Sequence, residues 1–195
     1  NLRRDHGKSG MNRAAASSLL LAVLASSAAP APLSAVPAPA PASMCQAGEQ
    51  VAYSCRFGKS VGSVCAGRGA VHYRFGLLGS PAMDVANAED WHNVHLGSVR
   101  GQGDGWQEHA RFSAGQIHYT VFSGQDGSLS DHPGRTYSGI AVSQGKRGEH
   151  SLATLDCKGG AVMAEDWTGL IAAAAPEQLS GNLQEETDGP FDAWF

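Results

Sequence analysis

Four cysteines, Cys45, Cys55, Cys65 and Cys157, constrain this chain more than any other feature. An even number of cysteines behind an export signal implies disulfides. A zinc site would want close C-x2-C pairs, whereas here the gaps are nine, nine and ninety-one residues. Four cysteines allow three connectivities, and strand geometry favours one of them. Phe57-Gly58-Lys59-Ser60 reads as a hairpin with a two-residue turn at Gly58-Lys59. That register sets Ala52 opposite Cys65 and Cys55 opposite Gly62. Side chains alternate along a strand, so Cys55 and Cys65 point to opposite faces and do not pair with each other. The expected bridges are Cys45–Cys65 and Cys55–Cys157, with no cofactor and no metal.

The export signal stands near the start. Residues 1–10 read as an upstream extension. Met11-Asn12-Arg13 gives a short positive region, Ala14 to Ala25 an apolar run, and Ser26-Ser27-Ala28 a small-residue cleavage pattern, so 11–28 reads as a signal peptide. The apolar run is too short to span a bilayer comfortably. The first cysteine lies far beyond it, which argues for a soluble product over a lipid-anchored one. Residues 29–43 (APAPLSAVPAPAPAS) form an Ala/Pro-rich linker that favours extended conformations. A single β domain is expected over 44–174, followed by a disordered acidic tail over 175–195. That tail ends in Phe191-Asp192-Ala193-Trp194-Phe195, aromatics that can dock on a partner, dock on the protein itself or stay free. After cleavage, ten basic residues face seventeen acidic ones. No basic cluster exceeds Lys146-Arg147, which argues against nucleic acid and anionic membrane surfaces as partners. The expected location is periplasmic or secreted.

Period-two alternation dominates the rest. Strands are expected at 50–57, with Val51, Tyr53, Cys55 and Phe57 on one face, and at 60–66, 70–75, 106–112, 116–123, 135–143 and 150–157. Residues 82–105 read as a long surface loop carrying Trp91, His92 and His95, with a short strand at 94–99. A second polar loop covers 124–134. Met163, Trp167, Leu170, Ile171 and Ala174 recur at helical steps, so a short helix is expected over 161–174, with Glu165 and Asp166 near its N-terminus. About seven short strands at these spacings predict a mostly β fold, a small antiparallel sandwich or open barrel with disulfides and a short C-terminal helix.

Catalytic motifs are absent: no G-x-S-x-G, P-loop, G-x-G-x-x-G after a strand, or H-E-x-x-H occurs. The Gly97–Gly105 run holds G-Q-G-D-G without a following helix and reads as a flexible loop. Asp90, His92 and His95 are the nearest thing to a ligand set and would need a third donor such as His109 or Asp84. Ser138, His118 and Asp156 have no local context that marks a triad. No catalytic residue is assigned.

The strings Tyr53-Ser54-Cys55, Gly58-Lys59, Ser63-Val64-Cys65 and Tyr73-Arg74-Phe75-Gly76 together resemble a family of small exported bacterial proteins. Tyr119-Thr120-Val121-Phe122, Gly139-Ile140-Ala141-Val142 and Leu155-Asp156-Cys157 look like its later strands. The resemblance runs from Cys45 to Cys157 and implies fold and compartment, with no activity. A looser similarity is to the periplasmic lysozyme inhibitors, small β proteins with a Y-x-C…G-K opening hairpin. Their Ser/Tyr inhibitory loop has no counterpart after Ser123-Gly124 or Ser138-Gly139. The function expected is a non-enzymatic binding or inhibitory module that meets an envelope or extracellular protein through loops 82–105 and 124–134. Trp91, His92, His95 and Trp106 are its candidate contact residues. The alternatives are a structural or stress-related envelope protein and, less so, a hydrolase using the histidine loop.

Overall fold

Phe57 and Ser60 face each other across the Gly58-Lys59 turn, where Gly58 takes a φ of 63°, a left-handed conformation that costs glycine little. The computed structural model describes residues 42–183. The expected signal peptide, the linker up to residue 41 and the tail beyond Leu183 lie outside the described residues.

Two consecutive antiparallel meanders make up the fold. The first runs through β1 (Gln50–Phe57), β2 (Ser60–Gly67), β3 (Ala70–Leu77) and β4 (Ser80–Ala86). The second runs through β5 (Val94–Arg100), β6 (Trp106–Ala114), β7 (Ile117–Gln125), β8 (Thr136–Gln144) and β9 (His150–Asp156). The two-residue strand β10 (Val162–Met163) returns to pair with β1, giving two five-stranded sheets in the orders β10-β1-β2-β3-β4 and β5-β6-β7-β8-β9. Of the two architectures expected, the sandwich is therefore the one formed.

Three local expectations are corrected. Residues 82–105 are not one loop: the expected short strand at 94–99 is present as β5, and residues 82–86 belong to a further strand, β4. The helix α1 (Trp167–Ala174) is shorter than expected, and Met163 belongs to β10 opposite Tyr53. Asp166 caps the helix by accepting a 2.9 Å hydrogen bond from the Gly169 amide. The chain also continues in order past Pro176 into a short 3₁₀ turn, Ser180–Leu183, whose Leu183 is buried.

The core lies between the sheets. Tyr53, Cys55, Val64, Tyr73 and Val85 from the first sheet meet Val94, Ala110, Phe112, Val121 and Ile140 from the second, and Trp167 and Ile171 of α1 pack in beside them. Tyr73 stacks on both Phe112 and Tyr119, with ring centroids 5.8 and 5.3 Å apart. Burial pushes the Tyr73 and Tyr53 hydroxyls well above the ordinary phenol range. The sheets approach closely at Gly62, where a Cβ would come within 2.5 Å of Ile140 Cδ1 and 3.1 Å of the Phe57 ring. We expect Gly62→Ala to destabilise the fold by about 1–3 kcal/mol through overpacking. Urea unfolding checks this, and an unchanged midpoint would show that the sheets can slide apart there.

Both expected bridges are formed. Cys55–Cys157 spans 102 residues on the core side and ties β1 to the end of β9. Cys45–Cys65 spans 20 residues on the opposite face. The register differs in one detail: Val51, not Ala52, stands opposite Cys65, because a bulge at Ala52 interrupts the pairing. The bulge also takes Val51 off the face that Tyr53, Cys55 and Phe57 share.

Residues 42–49 lie as a strap across the outward face of the first sheet. Beneath them Ser54, Ser63, Arg74 and Asp84 stand in register across β1 to β4. Ser54 Oγ donates to the Ala42 carbonyl (2.9 Å), and the Met44 amide donates to Ser63 Oγ (3.0 Å). Arg74, with a side chain only 2 % exposed, makes a two-pronged pair with Glu49 at 2.6 and 2.9 Å and donates from Nε to Asp84 at 2.9 Å. Asp84 also pairs with His72 Nδ1 at 2.8 Å.

Candidate functional site

The crossover between the sheets, residues 87–93, holds three of the histidine-loop candidates and sends them to different fates. Trp91 is not exposed. It is 1 % accessible and packs in the core, held at a φ of 62°. Its burial is a tertiary effect: Asn93 donates to the carbonyls of Ala86 and Ser113 and accepts from the Ala88 amide, and so folds the crossover down onto the end of the sandwich. His92 is exposed and its Nδ1 pairs with the Asp90 carboxylate, which holds Asp90 below the usual carboxylate range. His95 lies half-buried on β5, on the outward face opposite Arg111. Trp106 opens β6, half-buried, opposite Arg100.

These groups do not converge. Among the described residues, the one group of three donors close enough to share an ion is Cys45, Glu49 and Cys65, and its two sulfurs are bonded to each other. Asp84, the alternative third ligand for the histidines, is bound instead to Arg74 and His72. The paper triad also separates. His118 is on the outward face of β7, its Nε2 donating to the Gly145 carbonyl and its Nδ1 taking the Ser113 hydroxyl, both at 2.8 Å. Ser138 pairs with Ser123 on the other face, and Asp156 pairs with Gly139 at the far end of the strand.

The structure does bring two loops together. The β5–β6 connection contains a short 3₁₀ turn, Gln102–Asp104, in which Gly103 and Asp104 take φ values of 65° and 63°. The β7–β8 connection begins at Asp126. The Ser128 amide donates to the Gly103 carbonyl at 2.6 Å, and a Cβ on Gly127 would collide with the carbonyls of Gln102 and Gly103. Glycine is therefore required at 127 for the two backbones to meet. The second loop is closed at its own base: Asp126 accepts from Arg135 Nε at 2.8 Å, and the Asp126 amide donates to the Arg135 carbonyl at 2.9 Å. Between the loops lies an open cleft of about 560 Å³ lined by Arg100, Gly101, Gln102, Gly127, Leu129 and Ser130. Leu129 is 75 % exposed.

Polar groups collect at the same end of the sheet. The Gln107 side-chain amide, Asp126 Oδ1 and the Tyr137 hydroxyl are buried without a hydrogen-bond partner. Burial, reinforced by the negative charge of Asp126 and opposed by Arg135, pushes the Tyr137 hydroxyl up to about 12. It stays a neutral donor at any physiological pH.

The loop pair falls partly within the two stretches expected to carry contacts, but its residues differ from those singled out. The available signal was the coincidence of glycines, Gly101, Gly103 and Gly105 with Gly124 and Gly127, in segments that the hairpin register brings side by side. Comparison with known proteins adds no assignment: no protein-family model, no curated protein and no solved structure matches the chain.

Proposed function

We propose that this chain is an exported, non-enzymatic binding or inhibitory module, periplasmic or secreted, that engages an envelope or extracellular protein through the joined β5–β6 and β7–β8 loops. The observation that carries this reading is the cleft between those loops. Its two loops are joined by a cross-loop backbone hydrogen bond, and a large apolar side chain, Leu129, is exposed at its lip. A rigid β scaffold that presents a fixed loop pair suits recognition without induced ordering, which keeps the entropic cost of binding low. Two disulfides fit an oxidising compartment. No helix among the described residues is long and apolar enough to cross a membrane.

The test immobilises the oxidised chain, captures partners from envelope extract and from a panel of lysozymes, and repeats the capture with Leu129→Asp. Leu129 packs against little, so the variant folds. We expect one saturable protein partner whose affinity falls roughly tenfold or more in the variant, as for a central apolar anchor. Retention of the partner by Leu129→Asp would move the contact surface elsewhere. An empty eluate would favour the structural envelope role.

A further inference from the structure

The outward face of the second sheet carries side chains that ordinarily need a cover. Gly97, His109, Phe122 and Gly139 stand in register across β5 to β8, with Gln107, Gly124 and Tyr137 in the next row and His95, Arg111 and Thr120 in the row on the other side. Rings alternate with glycines: His109 lies over Gly97, Phe122 over Gly139 and Tyr137 over Gly124, each so close that a Cβ on the glycine would meet the ring. The result is a flat floor of rings. An outward face of an antiparallel sheet is ordinarily solvated, yet Gln107 is 0 %, Phe122 3 %, and His109 and Arg111 8 % exposed. The helix α1 and the first sheet pack on the opposite side of this sheet, with Ala110, Phe112 and Val121.

We propose that the C-terminal segment, residues 184–195 (QEETDGPFDAWF), docks on this face of its own chain. Three observations favour that occupant. The described chain ends at Leu183, which is buried in a cleft between α1 and β5 on the helix side of this sheet, beside its β5 edge, so the segment has only that one edge strand to pass round to reach the outward face. From there twelve residues reach about 40 Å when extended, ample for the roughly 19 Å width of five strands. Charge and shape also match. The segment carries Glu185, Glu186, Asp188 and Asp192 and no base, whereas the middle of the face carries Arg111, His95, His109 and His118, and its carboxylates lie at the margins: Asp126 bound to Arg135, Asp156 on the far edge strand, and Glu149 beside His118. Phe191, Trp194 and Phe195 match a floor of rings and glycines. Finally, the unpartnered Gln107 amide offers one donor group and one acceptor, the complement of a peptide group.

This inference is independent of the loop assignment. It is tested in the full chain with Trp194 replaced by photo-reactive p-benzoylphenylalanine, irradiated as an equal mixture of isotopically light and heavy protein. Cross-links within one molecule to residues 107–124 are expected, with their loss in a second variant that adds Arg111→Glu and Phe122→Ser. Cross-links that join light to heavy chains, that fall elsewhere, or that do not form would overturn it. In a chain ending at Leu183, hydroxyl-radical oxidation of Phe122 and Tyr137 is expected to rise severalfold, and an unchanged rate would also overturn it.

Discussion

Replacing Cys55 and Cys157 together by alanine lowers the thermal midpoint of the oxidised chain by roughly 10–20 °C. The bridge closes a loop of 102 residues, for which chain-entropy arguments give about 4–5 kcal/mol of denatured-state destabilisation. It also makes a covalent connection between the sheets that no backbone ladder supplies among the described residues, because β1 and β9 belong to different sheets. The bridge therefore holds the faces of the sandwich together as well as shortening the unfolded chain. The Cys45–Cys65 bridge spans 20 residues and fastens only the strap, so removing it costs about 3 kcal/mol. Scanning calorimetry of the two double variants gives the order directly. A larger loss from Cys45→Ala/Cys65→Ala would mean that the strap, and not the inter-sheet tie, dominates stability.

The disulfide pairing was legible in part: the shortest-range logic in the chain excludes Cys55–Cys65 and leaves two connectivities, of which the expected one is formed. A two-residue turn sets the hairpin register, and alternation puts Cys55 and Cys65 on opposite faces. The bulge at Ala52 shifts Val51 and leaves that logic intact, because Tyr53 to Phe57 keep their alternation. Strand β4 escaped notice for a physical reason. Its sequence SPAMDVA puts only Met83 and Val85 on the core side, and Pro81 reads as a breaker. Pro81 is tolerated because β4 is an edge strand, where one ladder hydrogen bond can be lost. Trp91 sits between Asp90 and His92 and looks like a surface residue, and only the folding of the crossover buries it. The candidate cleft was half legible, since the glycines of both loops are visible but their meeting depends on sheet register. The Glu49–Arg74–Asp84 network was not legible: its partners are 25 and 10 residues apart in sequence, Arg74 meets Asp84 only through the register of the unexpected strand β4, and Glu49 joins them only when the strap closes.

That network predicts a specific acid weakness. The Arg74 hydrogen bonds hold Glu49 below its ordinary 4.5 against the opposing effect of burial. For Asp84, burial pushes upward, but the hydrogen bonds from Arg74 and His72 outweigh it and hold the group below 3.8. Carboxylates whose pKa is lower in the folded state contribute stability that is complete above their unfolded values and is lost as pH falls through the folded ones. Stability is therefore expected to be flat above about pH 5 and to fall steadily below it. Glu49 carries most of the effect, because its side chain is 14 % exposed and that of Asp84 is 40 % exposed and screened by water. Glu49→Ala leaves the Arg74 guanidinium buried with half its partners and costs about 3–5 kcal/mol at neutral pH. In the double variant Glu49→Leu/Arg74→Met the buried charge disappears with its partner, so most of that loss is recovered and the acid slope flattens. Urea unfolding of the wild-type chain and both variants at pH 7 and pH 4 separates the contributions. If Glu49→Ala kept the wild-type acid slope, Glu49 would not be the titrating group. If the double variant were as unstable as Glu49→Ala, the network would be required for packing of the strap itself, beyond the pairing of its charges.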